Sequence, residues 1–209
     1  MPVFAKNVVA TSQPLASQAG LSMLQRGGNA VDAVLAAAIA LTVVEPTGCG
    51  IGSDAFALVW DGESLHGLNG SGKSPRAWSP SRFDHCNAMP EVGWDTVTVP
   101  GAVDAWKTLS QRFGALPFTD LFEPAIGYAR TGFHVSPFVA AKWAEAPDRF
   151  KDFPEFSEFF IPHGRPPCAG DLFSCPPMAD TLHEIAATNA ESFYRGDLAR
   201  KIHEHARST

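Results

Sequence analysis

Residues 30–44, Ala-Val-Asp-Ala-Val-Leu-Ala-Ala-Ala-Ile-Ala-Leu-Thr-Val-Val, are apolar on nearly every side of a helix. A helix with no polar face cannot lie on a surface, so the rest of the chain has to wrap it. The run is too short to span a bilayer and carries Asp32. It is therefore the buried helix of a large core, and a chain of 209 residues is long enough to build one without staples. Asn29 stands at its start with Asp32 three residues on, the pattern of a capping box. Pro46 ends it. A preceding helix opens at Ser12 and Pro14, carries small and apolar residues at Ala16, Ala19, Gly20, Met23 and Leu24, and stops at Gly27-Gly28.

Around this pair the pattern mixes strands and helices. Val8–Ala10 reads as a short strand. Gly48–Ser53 reads as a turn. The continuous apolar run Ala55–Trp60 predicts a strand buried on both faces. Asp61-Gly62 is a hairpin turn, and Ser64–Asn69 returns from it. Residues 70–92 read as loop, and Thr96–Val99 as another strand. Apolar stripes at helical spacing follow at Ala102, Ala105, Trp106 and Leu109, and at Phe122, Ala125, Ile126 and Ala129. Ser136-Pro137 starts a third helix. Residues 147–177 are rich in Pro and aromatics and show no clear element. Met178, Leu182 and Ile185, then Leu198, Ala199 and Ile202, mark two more helices. No repeat and no linker divides the chain, so residues 1–209 are expected as one unit of mixed α and β class.

The balance of 16 Lys and Arg against 22 Asp and Glu, a net charge of −6, argues against a dedicated nucleic-acid binder. Cys49, Cys86, Cys168 and Cys175 are too scattered for a disulfide framework. The first ten residues lack the charged and apolar regions of a secretory signal, and no run suits a membrane span. A reduced, cytoplasmic protein is the expectation.

Gly67-Leu-Asn-Gly-Ser-Gly-Lys-Ser74 spells a phosphate-binding loop, with Lys73 for the terminal phosphates and Ser74 for magnesium. That chemistry needs a helix to follow, and Pro75-Arg-Ala-Trp-Ser-Pro-Ser81 has no helical repeat. Pro75 also disfavours helical backbone at Ser74. Gly48, Gly50 and Gly52 follow a helix instead of a strand, the reverse of a dinucleotide loop. Cys168, Cys175 and His163 are poorly spaced for zinc. No metal site is expected, and no His pairs with a Ser in a nucleophile elbow.

The stretch Ala16–Ala33, with Ala-Leu-Thr-Val-Val-Glu-Pro46 and Gly50-Ile-Gly-Ser-Asp-Ala-Phe-Ala-Leu-Val-Trp60, resembles the start of gamma-glutamyltranspeptidases and of the related class IV cephalosporin acylases. Thr98–Trp106, Leu116–Ala129 with Gly132-Phe, and Phe193–Gly196 resemble further blocks in the family's order. The resemblance implies an α+β fold, the αββα sandwich of N-terminal-nucleophile hydrolases, with only its N-terminal part present. It implies a precursor that cuts itself into two subunits, and a Thr at the new N-terminus that is nucleophile and, through its α-amine, base. It implies no cofactor.

On this resemblance Thr209 falls inside the large subunit. The partners are then the remaining C-terminal part, the small subunit and a small γ-glutamyl or acyl-amide substrate. No catalytic residue is expected in residues 1–209, since Thr96 and Thr98 sit in no nucleophile motif. The family's arginine for the substrate α-carboxylate lies in a block reading L-D-G-R-E-T-A-P. Here Leu68–Pro75 occupies that block and Ser71 takes the arginine's place. Lys73, two residues on, would share a side with Ser71 in an extended segment and is the candidate replacement cation. Ser71 and Lys73 are thus the expected substrate-binding residues. A solvated Lys73, a nucleotide-binding module and a non-catalytic scaffold of the same family remain as alternatives.

Overall fold

The computed structural model describes residues 4–208. Two helices, α1 (Pro14–Gln25) and α2 (Ala30–Val44), form an antiparallel pair at the centre. The Asn29 side chain accepts the amide protons of Val31 and Asp32, and Asp32 reaches back to the amide of Asn29, which completes the capping box. Helix α1 is capped by Gln13, whose side chain accepts from Leu15 and Ala16. Ser12 instead donates to Glu45 at 2.6 Å, tying the start of α1 to the end of α2.

Eleven of the positions in α2 are buried. Ile39, Ala36 and Ala40 have no exposed surface at all. The wrapping elements are α1, α3 (Ala102–Phe113), α4 (Glu123–Thr131) and the single turn 118–122 that precedes α4. Phe122 in that turn packs edge-on against Phe118 and Trp106, joining α3 and α4 over the central helix. Truncating Ile39 to Ala would cost about 2–5 kcal/mol, since the close-packed surroundings cannot collapse into the gap.

The chain then continues through α5 (Pro137–Trp143), α6 (Ala146–Arg149), α7 (Pro154–Phe160), α8 (Pro176–Ala187), α9 (Glu191–Arg195) and α10 (Asp197–Ser208). Helix α8 packs on α4. The described residues form two antiparallel pairs of strands. One is β1 (Ala55–Trp60) with β2 (Leu65–Gly70); the other is the short β3 (Phe133–His134) with β4 (Leu172–Phe173).

Several expectations are corrected. Val8–Ala10 is not a strand: no strand lies beside it among the described residues, and the Val9 side chain packs over Gly20 of α1. Thr96–Val99 is not a strand either; Trp94–Thr96 is a single 3-10 turn, and of the backbone amides in 96–99 that of Val99 alone bonds to the neighbouring extended segment. Residues 147–177, which show no periodicity, hold α7 and β4. Strand β1 is covered on one face only. Ala55, Ala57 and Val59 turn inward, while Phe56, Leu58 and Trp60 are 64, 76 and 63% exposed. Apolar content alone does not say how many faces are covered, and in the described residues nothing lies over the second one.

Candidate functional site

The hairpin sets the position of the candidate site. Antiparallel pairing places Trp60 opposite Leu65, Leu58 opposite Gly67 and Phe56 opposite Asn69 on the outer face. Ala55 faces Gly70 and Ala57 faces Leu68 on the inner face, where small residues let α3 approach closely. A Cβ on Gly70 would meet the Ala105 methyl at 3.0 Å.

Beyond β2 the chain runs through Ser71-Gly72-Lys73-Ser74-Pro75 without a helix. The segment is held by backbone groups. The Lys73 carbonyl accepts from the Val99 amide at 2.9 Å, and the Ser71 carbonyl accepts from the Thr98 hydroxyl at 3.3 Å. The approach is closest at Gly101, where a Cβ would run into the Gly70 carbonyl oxygen. Gly72 has φ +75°, a left-handed conformation that glycine adopts without strain, and a Cβ there would collide with the Val99 carbonyl.

This geometry removes the nucleotide-binding reading. The strand before the Gly67–Ser74 motif is the antiparallel return of a hairpin, and no helix N-terminus follows to face a phosphate. It also changes the argument for Lys73. Side-chain alternation holds only along extended backbone, and Gly72 interrupts it. Ser71 and Lys73 are both exposed and close in sequence, and the Lys73 ammonium has no ion-pair partner among the described residues. The Ser71 amide donates to the Asn69 side chain at 3.0 Å.

The start of α3, next to this segment, has no side-chain cap of its own. The Ser53 carbonyl accepts from the amides of Gly101 and Ala102, at 3.1 and 3.0 Å. The Tyr194 hydroxyl, from α9, accepts the Asp104 amide at 2.9 Å and donates to the Pro100 carbonyl at 2.8 Å. Burial, with the nearby Asp104 charge, pushes the Tyr194 phenol up to about 12.

Sequence reasoning missed a polar cluster at the other end of the hairpin. Asp61 accepts from the amides of Glu63 and Ser64, at 2.9 and 2.8 Å, and lies 2.6 Å from His66 Nε2. Arg112 of α3 donates to His66 Nδ1 at 3.0 Å, which assigns the remaining imidazole proton to Nε2. The backbone bonds from Ser64 and Glu63, together with His66, hold the Asp61 carboxyl well below the usual carboxylate range. Asp61, two and three residues before the amides it accepts, was legible in the sequence as the start of the hairpin turn; the contact of His66 with α3 was not.

Asp32 is fully buried and accepts from the backbone amides of Asn29, Ala115 and Leu116. Its oxygens are occupied by structural bonds, which supports the capping reading over a catalytic one. Cys168 is exposed, Cys175 is buried, and both are free thiols, as are Cys49 and Cys86. Among the described residues no group of three His, Cys, Asp or Glu side chains is placed to hold a metal ion. No described helix is long and apolar enough to cross a membrane.

The gamma-glutamyltranspeptidase family model matches residues 16–209. The chain is 36% identical to the glutathione hydrolase-like YwrD proenzyme of Bacillus subtilis, over 96% of this chain and 39% of that protein. Its structure is similar to that of the cephalosporin acylase from Bacillus halodurans, with a TM-score of 0.89 and 46% identity over 97% of this chain and 41% of the acylase. It is also similar to Helicobacter pylori gamma-glutamyltranspeptidase, with a TM-score of 0.91 and 30% identity over 98% of this chain and 61% of that one. The backbone is thus that of the α+β N-terminal-nucleophile hydrolases. The chain belongs to the gamma-glutamyltranspeptidase family. It spans about two-fifths of the length of the B. subtilis relative and of the acylase.

Proposed function

We propose that residues 1–209 are one partial domain, the N-terminal portion of an acyl-transferring amidase whose catalytic Thr lies in another part of the same precursor. The partners are then the remaining C-terminal portion, the small subunit and a small amide substrate. In the reaction the Thr hydroxyl attacks the amide carbonyl while its own α-amine takes the proton, the amine leaves, and water or an amine accepts the acyl group. The family match supports the reaction class. One continuous core from Ala16 to Leu198 supports the single unit. A reducing, cytoplasmic setting is supported by the four free thiols.

The observation that carries the site reading is the pinned, exposed segment Ser71–Lys73 at the end of the hairpin. In the family this block presents an arginine to the donor carboxylate. With Ser71 in its place the bidentate fork is gone, and Lys73 supplies a point charge nearby. The site thus favours donors that do not depend on a two-pronged carboxylate grip.

Turnover of γ-glutamyl-p-nitroanilide against an acyl anilide without the α-carboxylate, by the full-length protein, tests this. Lys73→Ala should raise KM for the carboxylate donor about tenfold, a loss of about 1.4 kcal/mol, and leave the other donor nearly unchanged. Equal effects on both donors, or none, would remove Lys73 from the site. Residues 1–209 alone should show no turnover, and amidase activity of that chain abolished by one Ser or Cys substitution within it would overturn the acyl-transfer reading.

A further inference from the structure

A cleft of about 560 Å³ separates α10 from the segment 75–100, and neither the hairpin site nor the acyl-transfer reading accounts for it. This volume is in the range of small-molecule sites. Helix α10 is amphipathic. Arg200 pairs with Asp197 and Glu204 on its outer side. Ala199, Ile202, His203 and Ala206, spaced as one helical stripe, line the cleft.

The opposite wall carries two indole rings, Trp78 and Trp94. Both are held in place. The Arg82 guanidinium lies 5.6 Å from the Trp78 ring centre and is itself fixed by Asp95 at 2.6 Å. Trp94 donates from Nε1 to His205 of α10 at 3.2 Å. Phe193 and Pro100 also line the cleft, next to the Tyr194 hydroxyl that fastens α9 to the start of α3. Aromatic rings held this way form a preorganised apolar surface for a ring or alkyl chain.

Charge decides which end group such a ligand carries. The lining carboxylate, Asp95, is already spent on Arg82. Arg207 in the last turn of α10 lines the same cleft with no ion-pair partner among the described residues, and His203 adds a further donor beside it. A cationic ligand meets no unpaired carboxylate in the lining, whereas an anionic one meets Arg207.

We propose that this cleft binds a small aromatic or alkyl carboxylate, with its apolar part between the α10 stripe and the two tryptophans and its carboxylate at Arg207. The cleft adjoins the hairpin segment through Thr98 and Val99, but neither Ser71 nor Lys73 lines it, and its occupancy requires no turnover. Its test therefore succeeds or fails independently of the acyl-transfer reading.

Isothermal calorimetry on the purified protein with 4-phenylbutyrate, 4-phenylbutan-1-ol and 4-phenylbutylamine makes the test. The carboxylate should bind saturably and at least tenfold more tightly than the alcohol or the amine. Arg207→Gln should erase that preference. Ile202→Glu, which puts a carboxylate into the stripe, should weaken 4-phenylbutyrate binding at least tenfold with an unchanged circular dichroism spectrum. If Ile202→Glu disturbs folding, Ala206→Glu on the same stripe serves instead. Equal affinity for the three probes, affinity indifferent to the stripe substitution, or no saturable binding because another part of the protein fills the cleft would each overturn the proposal.

Discussion

The buried carboxylate of Asp32 accepts the amide proton of Ala115, 83 residues further along, through both oxygens, at 3.1 and 3.0 Å. One side chain thereby caps the start of α2 and holds the chain where it leaves α3. Removing the charge takes the acceptor away from the part-buried amide protons of Asn29, Ala115 and Leu116. Asp32→Ala should cost about 3 kcal/mol, measured by urea unfolding. A drop in the proposed amidase turnover of the full-length protein for Asp32→Asn with no loss of stability would instead make Asp32 catalytic.

Asn29 acts at the same junction from the other side. Its oxygen caps α2, and its amide nitrogen donates to the Phe113 carbonyl at 2.6 Å, at the end of α3. Asn29→Ala should cost about 1–2 kcal/mol, the upper part of the range for an N-cap, since a second bond is lost with the first. Asn29→Asp should keep the cap and lose only the Phe113 bond, and thermal melts of the two variants separate these contributions.

The outer face of the hairpin gives a prediction about exposed apolar surface. Phe56, Leu58 and Trp60 form a continuous apolar strip with Leu65, and such strips mark surfaces that other protein covers. Residues 1–209 in isolation should bind the dye ANS while folded. The triple change Phe56→Thr, Leu58→Thr and Trp60→Thr should abolish most of that binding. It should alter the stability of the isolated chain by only about 0.5 kcal/mol per position, because these side chains bury little within it.

Tyr194 gives a pH dependence. Its folded-state value is raised to about 12, against about 10 in an unfolded chain. A group whose value rises on folding contributes stability that is fully present below the unfolded value and is lost as pH climbs toward the folded one. Urea stability should therefore fall between about pH 10 and 12. Tyr194→Phe should flatten that fall relative to the wild type and cost about 1–2 kcal/mol near neutrality, where the Pro100 carbonyl and the Asp104 amide lose their partner. Tyr128, also raised by burial, is common to both proteins and cancels in the comparison.

The parts of the fold legible in the sequence are those set by local chemistry. Helix α2 runs from Ala30 to Val44, where Asn29 and Pro46 place its ends. The hairpin turns at Asp61-Gly62 because Asp61 can accept the next amides. What stayed hidden depends on distant partners. Thr96–Val99 has strand composition, but its carbonyls and amides go to a 3-10 turn and to Lys73. Helix α7 is short, starts at Pro154 and stacks Phe156 between Phe150 and Phe160, a contact that no helical repeat reveals. At the site, the loop that follows the hairpin was legible from its Gly, Pro and Ser content. The left-handed Gly72 that breaks the alternation toward Lys73 was not, since glycine by itself does not state which conformation it adopts.

The tethering of Ser71–Lys73 has an evolutionary consequence. Two carbonyls on this segment do the fastening, and the partners across from them are the Val99 amide and the Thr98 hydroxyl. None of those bonds involves the side chain at 71 or 73. Mutational drift at these two positions is therefore nearly free of folding cost, while the flanking glycines 70, 72 and 101 are locked by the close approach of the chain. A lineage can exchange the side chain at either position, or move a cation along by two residues, without having to rebuild the framework that presents it.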